Sequence, residues 1–275
     1  MRIALHQMTS TIDPMRNASD MADAIAIAAE NGAAMYFAPE MAIMVDRDRA
    51  RARKYMANES HNMALQSLLA AAARHRIWVH IGSMPILDGG TEKLANRSII
   101  ISPDGTIAGR YDKMHLFDVD LASGESWRES SAYVGGEKPV MVQTPLGLMG
   151  LAICYDMRFP DLFSAYAKSG VDIMTLPSAF TVPTGEAHWH TLLRARAIES
   201  AAFIIAAAQC GVHEDGRQTY GHSLVVDPWG TILLDMGSSP GLAYVDLDLD
   251  TIKRVRKQIP VHANRRVIPS PCIAG

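Results

Sequence analysis

The stretch VMVQTPLGLMGLAICYDMRFPDLFSAYAKSGVDIMTLPS, residues 140–178, decides how this chain folds. Its first half holds two β-rich runs that turn near Pro145 and Gly147, which is the pattern of a hairpin. Its second half reads as a helix, PDLFSAYAKSG, followed by a strand, VDIMTLPS. A hairpin feeding a βα unit argues against a purely parallel, doubly wound sheet and for mixed sheets with helices outside. The apolar run GLMGLAIC also stops on a cysteine, Cys154, just where the chain must turn. A buried structural thiol explains that position, and so does a nucleophile mounted at the lip of a sheet.

The same mixture extends in both directions. RIALHQM reads as a strand, and NASDMADAIAIAAENG as a helix capped by Asn17 or Ser19 and stopped at Gly32. AAMYFAPE is a second strand, and ESHNMALQSLLAAAARHR is a helix with basic residues in its last turn. IWVHIGSMP is a strand, and NRSIIISPDGTIAGRYDK is a hairpin turning at SPDG. Beyond the opening stretch, AHWHTLLRARAIESAAF is a helix feeding the strand IIAAAQ. A hairpin then turns at DPWG, and GLAYVDLDLDTIKRVRKQ runs from strand into a final helix. There are no repeats, no low-complexity tract and nothing that reads as a linker. One domain over residues 1–275 is expected, with a tail from about residue 258.

The chain has 275 residues, 48% hydrophobic and 20% charged, with a formal net charge of −3. This is globular composition without the basic excess that nucleic acid or an anionic membrane selects. No apolar run reaches the roughly 18 residues that span a bilayer. The opening MRIALHQMTS has too short an apolar part for a signal peptide, and Cys154, Cys210 and Cys272 show no CxxC spacing. Reduced thiols and a cytoplasmic home are the expectation.

Glu40, Lys113 and Cys154 each sit where an apolar run gives way to a turn. Their chemistry is coherent if the fold brings them together. A free thiol ionises near pH 8.5 and needs a base or a cation to act as a nucleophile at neutral pH. A buried glutamate takes the proton, and a lysine offers fixed charge to a developing oxyanion. Acyl transfer through a thioester is the implied reaction class. On spacing alone the plain alternatives stay open: a core thiol, a solvated hairpin lysine, a glutamate that caps the next segment.

The segments around these residues narrow the choice. FAPEM, GRYDKMHLFDVD and GLAICYDMRFPDLF resemble the three signature segments of the nitrilase, or carbon–nitrogen hydrolase, superfamily. PSAFTVPTGEAHWHTLLRARAIESAAFIIAAAQCG and YGHSLVVDPWG resemble its Nit-type branch of ω-amidases and deaminated glutathione amidases. The resemblance runs from Met1 to about Arg266. It implies a four-layer αββα sandwich of two mixed sheets and a homodimer. It also implies Glu40 as general base, Lys113 as oxyanion stabiliser and Cys154 as nucleophile. A second glutamate is implied between lysine and cysteine, where Glu129 in WRES matches better than Glu125. Tyr155 supplies a backbone N–H to the oxyanion, and Arg158, Phe180 and Thr184 match substrate-contacting positions. Without the resemblance, Arg158 reads equally as an ion-pair partner of Asp156 or Asp161, Phe180 as core, and Thr184 as a helix N-cap.

The expected substrate is a small carboxylic acid amide, an ω-amide of a 2-oxo acid such as deaminated glutathione. The alternatives are an N-carbamoyl amidohydrolase or nitrilase, or an idle scaffold on the same fold. The chain departs from the family in reading HWH where the motif usually reads HWE, with His190 in place of the acid, and in its tail VIPSPCIAG. His188, His190, Cys210, His213 and His222 are the candidate metal ligands. His188 and His190 stand two apart on a helix and point about 200° apart, so they do not share an ion. The rest show no recognised zinc spacing, and neither a metal nor a cofactor is expected. No GxGxxG or GxxxxGK[ST] motif occurs, and GHSLV lacks the second glycine of the GxSxG elbow. The helix WHTLLRARAIESAAF is the candidate dimer face.

Overall fold

The computed structural model describes residues 1–87, 93–120, 124 and 126–273. In chain order the strands are β1 (Arg2–Gln7), β2 (Met35–Phe37), β3 (Trp78–His80), β4 (Met84–Leu87), β5 (Leu94–Ile101), β6 (Ile107–Asp112), β7 (Asp118–Asp120), β8 (Ser126–Arg128), β9 (Met141–Thr144), β10 (Gly147–Leu151), β11 (Ile173–Thr175), β12 (Phe203–Ala206), β13 (Cys210–Val212), β14 (Gln218–Tyr220), β15 (Leu224–Val226), β16 (Ile232–Asp235) and β17 (Gly241–Asp246). The α-helices are α1 (Pro14–Glu30), α2 (Arg49–Arg53), α3 (Met63–His75), α4 (Pro160–Lys168), α5 (Val182–Ser200) and α6 (Asp250–Gln258).

Two mixed sheets carry the fold. One runs β17-β1-β2-β3-β5-β4, with β6 also paired to β5; the other runs β16-β15-β12-β11-β10-β9. Each has a parallel centre, β1-β2-β3 and β10-β11-β12, flanked by antiparallel strands. Strand periodicity sets the layers. Ile3, Leu5, Met35 and Phe37 face the second sheet in a core with Met149, Leu151, Ile173 and Ile205. The alternate residues Ala4 and Tyr36 face the other way, against Met21 and Ile25 of α1 and Leu65 and Leu68 of α3. Leu162 and Phe163 of α4 and Trp189 and Leu193 of α5 pack on the second sheet. The order is therefore helix, sheet, sheet, helix.

Several boundaries move from their expected places. Asp13 caps α1, accepting from the Met15 and Arg16 N–H groups, and the helix starts at Pro14 rather than after Asn17 or Ser19. Proline suits a first helical position, and Asp13 is free to cap because Asn17 is buried and bonds Thr11 and Ile43 instead. The run IWVHIGSMP is two short strands broken around Gly82. Helix α5 begins at Val182, so Thr184 lies inside its first turn and is not its cap; its hydroxyl bonds Thr181. Beyond α6 the tail turns back on the helices, with His262 bonded to Ser200 and Arg265 to Ser164. Among the described residues no helix is long and apolar enough to cross a membrane.

Candidate active site

The parallel strands of both sheets deliver their ends to one place. After β2 the chain turns through Pro39 and Glu40, and four contacts fix the turn. The Ala38 N–H donates to His80 O at 2.9 Å and the Ser83 N–H to Pro39 O at 3.2 Å. The Met41 N–H donates to Ser83 Oγ at 3.0 Å, and Gln209 Nε2 donates to Glu40 O at 3.0 Å. A Cβ on Gly82 would lie 1.8 Å from Pro39 O, so only glycine permits this approach.

Lys113 directly follows β6 and is buried. Its Nζ donates to Glu40 Oε1 at 2.9 Å and to Glu129 at 2.9 and 3.1 Å. Glu129 is set by the Phe117 N–H at 2.6 Å, and the other Glu40 oxygen accepts the Ala179 N–H at 2.9 Å. Asn96 Nδ2 bridges the two carboxylates at 3.0 and 3.2 Å. Burial alone would push the Lys113 ammonium down, but Glu129, Glu40 and Cys154 outweigh it and hold it well above its ordinary value.

Cys154 opens a single 3₁₀ turn, Cys154–Arg158, with φ of 46°. A non-glycine residue in that region costs about 1–3 kcal/mol and persists only where its surroundings impose it. Here the Cys154 N–H is held by Pro177 O at 3.0 Å. Asp156, fully buried, clamps the turn from below: it accepts the Ile153 N–H at 2.8 Å and the Tyr111 hydroxyl at 2.7 Å. Its second oxygen accepts the His115 N–H at 3.0 Å and faces His115 Nδ1 at 2.7 Å. One carboxylate thus locks the cysteine turn to the strand that carries Lys113. Burial, then the Glu40 carboxylate, push the Cys154 thiol well above its ordinary range, against the pull of Lys113. The sulfur keeps its proton at rest, with a carboxylate beside it to receive it.

These groups open on a cavity of about 990 Å³ that Glu40, Lys113, Glu129 and Cys154 all line. Tyr155, Arg158, Phe180 and Thr184 line it too. Arg158 pairs with neither Asp156 nor Asp161. Its guanidinium sits 5.7 Å from the Phe180 ring centre and 3.3 Å from His188 Nδ1, and among the described residues it has no carboxylate partner. Glu125 lies outside the described residues. Sequence reasoning missed Asn96, Gln209 and the Asp156 clamp. Two of these carried a signal: Asn96 is a polar residue within a buried strand, and Gln209 ends the apolar run IIAAAQ.

Among the described residues one trio gathers as metal ligands would: His190, His222 and Asp235, none of which lines the cavity. His190 and His222 were weighed in the sequence without Asp235, whose strand position brings them together. The apolar face expected to lie exposed on WHTLLRARAIESAAF is mostly buried instead. Trp189, Leu193 and Ala197 turn inward to the core, and Ile198 is the exposed large apolar residue of that stretch.

The carbon-nitrogen hydrolase family model matches residues 2–257. The deaminated glutathione amidase of Bos taurus is 40% identical over 270 residues, covering 96% of this chain and 81% of that protein. The NitFhit protein of C. elegans superposes with a TM-score of 0.89 at 35% identity; the match covers 96% of this chain, which spans 65% of that longer one. An amidase from Nesterenkonia sp. AN1, solved with acrylamide added to its active-site cysteine, superposes at 0.78 with 29% identity, covering 94% of this chain and 98% of the other. Two mixed sheets that gather a cysteine, a lysine and two glutamates at one cavity, together with these likenesses, make the chain a member of the carbon–nitrogen hydrolase, or nitrilase, family and a hydrolase of C–N bonds.

Proposed function

We propose that the chain is an amidase that cleaves an ω-amide of a 2-oxo acid, of the deaminated glutathione class, through a thioester on Cys154. The observation that carries the reading is the convergence of Glu40 and Glu129 on the buried Lys113 beside Cys154. Glu40 takes the thiol proton as Sγ attacks the amide carbonyl, and Lys113 and the Tyr155 N–H receive the developing oxyanion. The C–N bond breaks, the leaving amine takes the proton from Glu40, and a thioester remains. Glu40 then deprotonates a water that attacks the thioester, which releases the acid and restores the thiol. Glu129 balances and aims Lys113 throughout. Arg158, without a carboxylate partner among the described residues, suits the substrate's acid group. Phe180 and Thr184 form the wall beside it.

The amidases that this chain resembles support the reading, one by its substrate and one by its reactive cysteine. A reducing cytoplasm suits a thiol nucleophile. We also assign a homodimer: Ile198, Trp229 and Ile259 are exposed together around a hollow of about 240 Å³ formed with α6 and the β15–β16 turn.

The test is a panel of ω-amides, nitriles and N-carbamoyl compounds, assayed for amine and acid products. Deaminated glutathione is expected to give 2-oxoglutarate and cysteinylglycine, and Cys154→Ala is expected to abolish that turnover. Turnover that survives Cys154→Ala would overturn the reading.

A further inference from the structure

We infer that His190, His222 and Asp235 form a binding site for one divalent cation of the zinc class, separate from the catalytic cavity. The three side chains come from three elements: α5, the turn before β15, and the end of β16. His190 Nε2 lies 2.9 Å from Asp235 Oδ2, and His222 Nδ1 lies 2.9 Å from Asp235 Oδ1. All the donor atoms fall within 4.8 Å of one another. Two ligands of a tetrahedral zinc, each at about 2.0–2.1 Å, stand about 3.3 Å apart. Each His–Asp contact therefore needs to open by only a few tenths of an ångström to admit the ion, and the two histidines already lie within 4.8 Å of each other. Two imidazoles and a carboxylate are a donor set suited to zinc, cobalt or nickel rather than calcium or magnesium.

The surroundings prepare the site. His222 holds a left-handed backbone, φ 56°, fixed by its N–H to Gly237 O at 2.7 Å and by Trp189 Nε1 to its carbonyl at 2.8 Å. The Tyr220 ring stacks on the His222 ring with centres 4.4 Å apart, which fixes its plane. The Gly237 N–H braces Asp235 at 2.9 Å. Glu186 stands one turn before His190 on the same face of α5 and adds negative charge near Tyr220. Side-chain exposures of 31%, 25% and 33% for His190, His222 and Asp235 leave the outer side open to water as a remaining ligand. Each histidine would ligate through the lone pair of the ring nitrogen that faces Asp235, with its N–H on the other nitrogen. The ion would clasp α5 to the second sheet. It bears on the cavity wall because Tyr220 also packs against Gly185, where a Cβ would lie 2.2 Å from its ring.

The test uses the full-length, untagged chain carrying Cys154→Ala and Cys272→Ser, so that thiols do not compete. Titration with Co²⁺, then Zn²⁺, is expected to give one ion per chain. The cobalt spectrum should show ligand-field bands without thiolate charge transfer. His190→Gln and Asp235→Asn keep size and hydrogen bonding and should each weaken binding by at least about tenfold, with unchanged circular dichroism. Either variant suffices if the other fails to fold. No stoichiometric binding, binding that both variants retain, or a cobalt spectrum dominated by thiolate would each overturn the proposal.

Discussion

The Cys154 thiol proton rests beside the Glu40 carboxylate, and what holds it there decides what each substitution does. Burial, then the Glu40 carboxylate, keep it on sulfur, against the pull of Lys113. Because the thiol is raised, the protonated form prevails through neutral pH, and thiolate grows only above the ordinary range near 8.5. On the proposed mechanism Glu40→Gln removes the base, and it also removes the charge that, after burial, helps hold the proton on sulfur. Amide turnover should therefore fall by about 10²–10⁴-fold. Alkylation of Cys154 by iodoacetamide at pH 7 should instead become faster, because Lys113 remains. Stopped-time mass spectrometry of the modified peptide separates the two effects. Turnover and alkylation falling together would make Glu40 a structural residue. The identities of Glu40, Lys113 and Cys154 were readable because each ends an apolar run inside a long recognisable segment. Asn96 and Asp156 were not, since a buried polar residue shows its partners only once distant strands are paired.

The turn after β2 depends on the break between β3 and β4. Gly82 sits there at φ 71° with no room for a Cβ against Pro39 O. Gly82→Ala combines backbone strain with a forced shift of the turn that carries Glu40, at a cost of about 2–4 kcal/mol. Urea unfolding should show that loss, and turnover should drop further than stability alone explains, because Glu40 moves relative to Lys113. Unchanged stability and turnover would mean that the turn is not held as described. The same break explains why IWVHIGSMP read as one strand: its residues are apolar throughout, and hydrophobic pattern does not register where a ladder is interrupted. Helix starts shifted for a related reason. Asn17 has a capping side chain, but Asp13 precedes a proline and wins the role, while Asn17 serves a buried network. Hairpins and βα units were legible because their turn residues and periodicity are local.

The α/β class was legible in the alternation of strand and helix and the four-layer sandwich through the family resemblance, whereas the outer surface did not follow from helix pattern. The apolar residues of α5 serve the core, so the helix alone offers little to a partner. The exposed apolar surface is assembled instead from three places: Ile198 near the end of α5, Trp229 in the β15–β16 turn, and Ile259 just after α6. Trp229 is half exposed at a turn tip, where its open half would serve a symmetric partner as an anchor. Trp229→Asp therefore should leave the monomer fold intact and weaken association by about 2 kcal/mol or more, about 30-fold in Kd. Sedimentation equilibrium over a concentration series reads this directly: a wild-type dimer at micromolar concentration, and a variant shifted toward the 29.9 kDa monomer. A wild type that sediments as a monomer, or a variant that dimerises as tightly as the wild type, would remove this face from the assembly. Turnover measured on the monomeric variant then tests whether catalysis depends on association. The cavity is built from one chain's residues, so catalysis should survive if α5 is held by its own core.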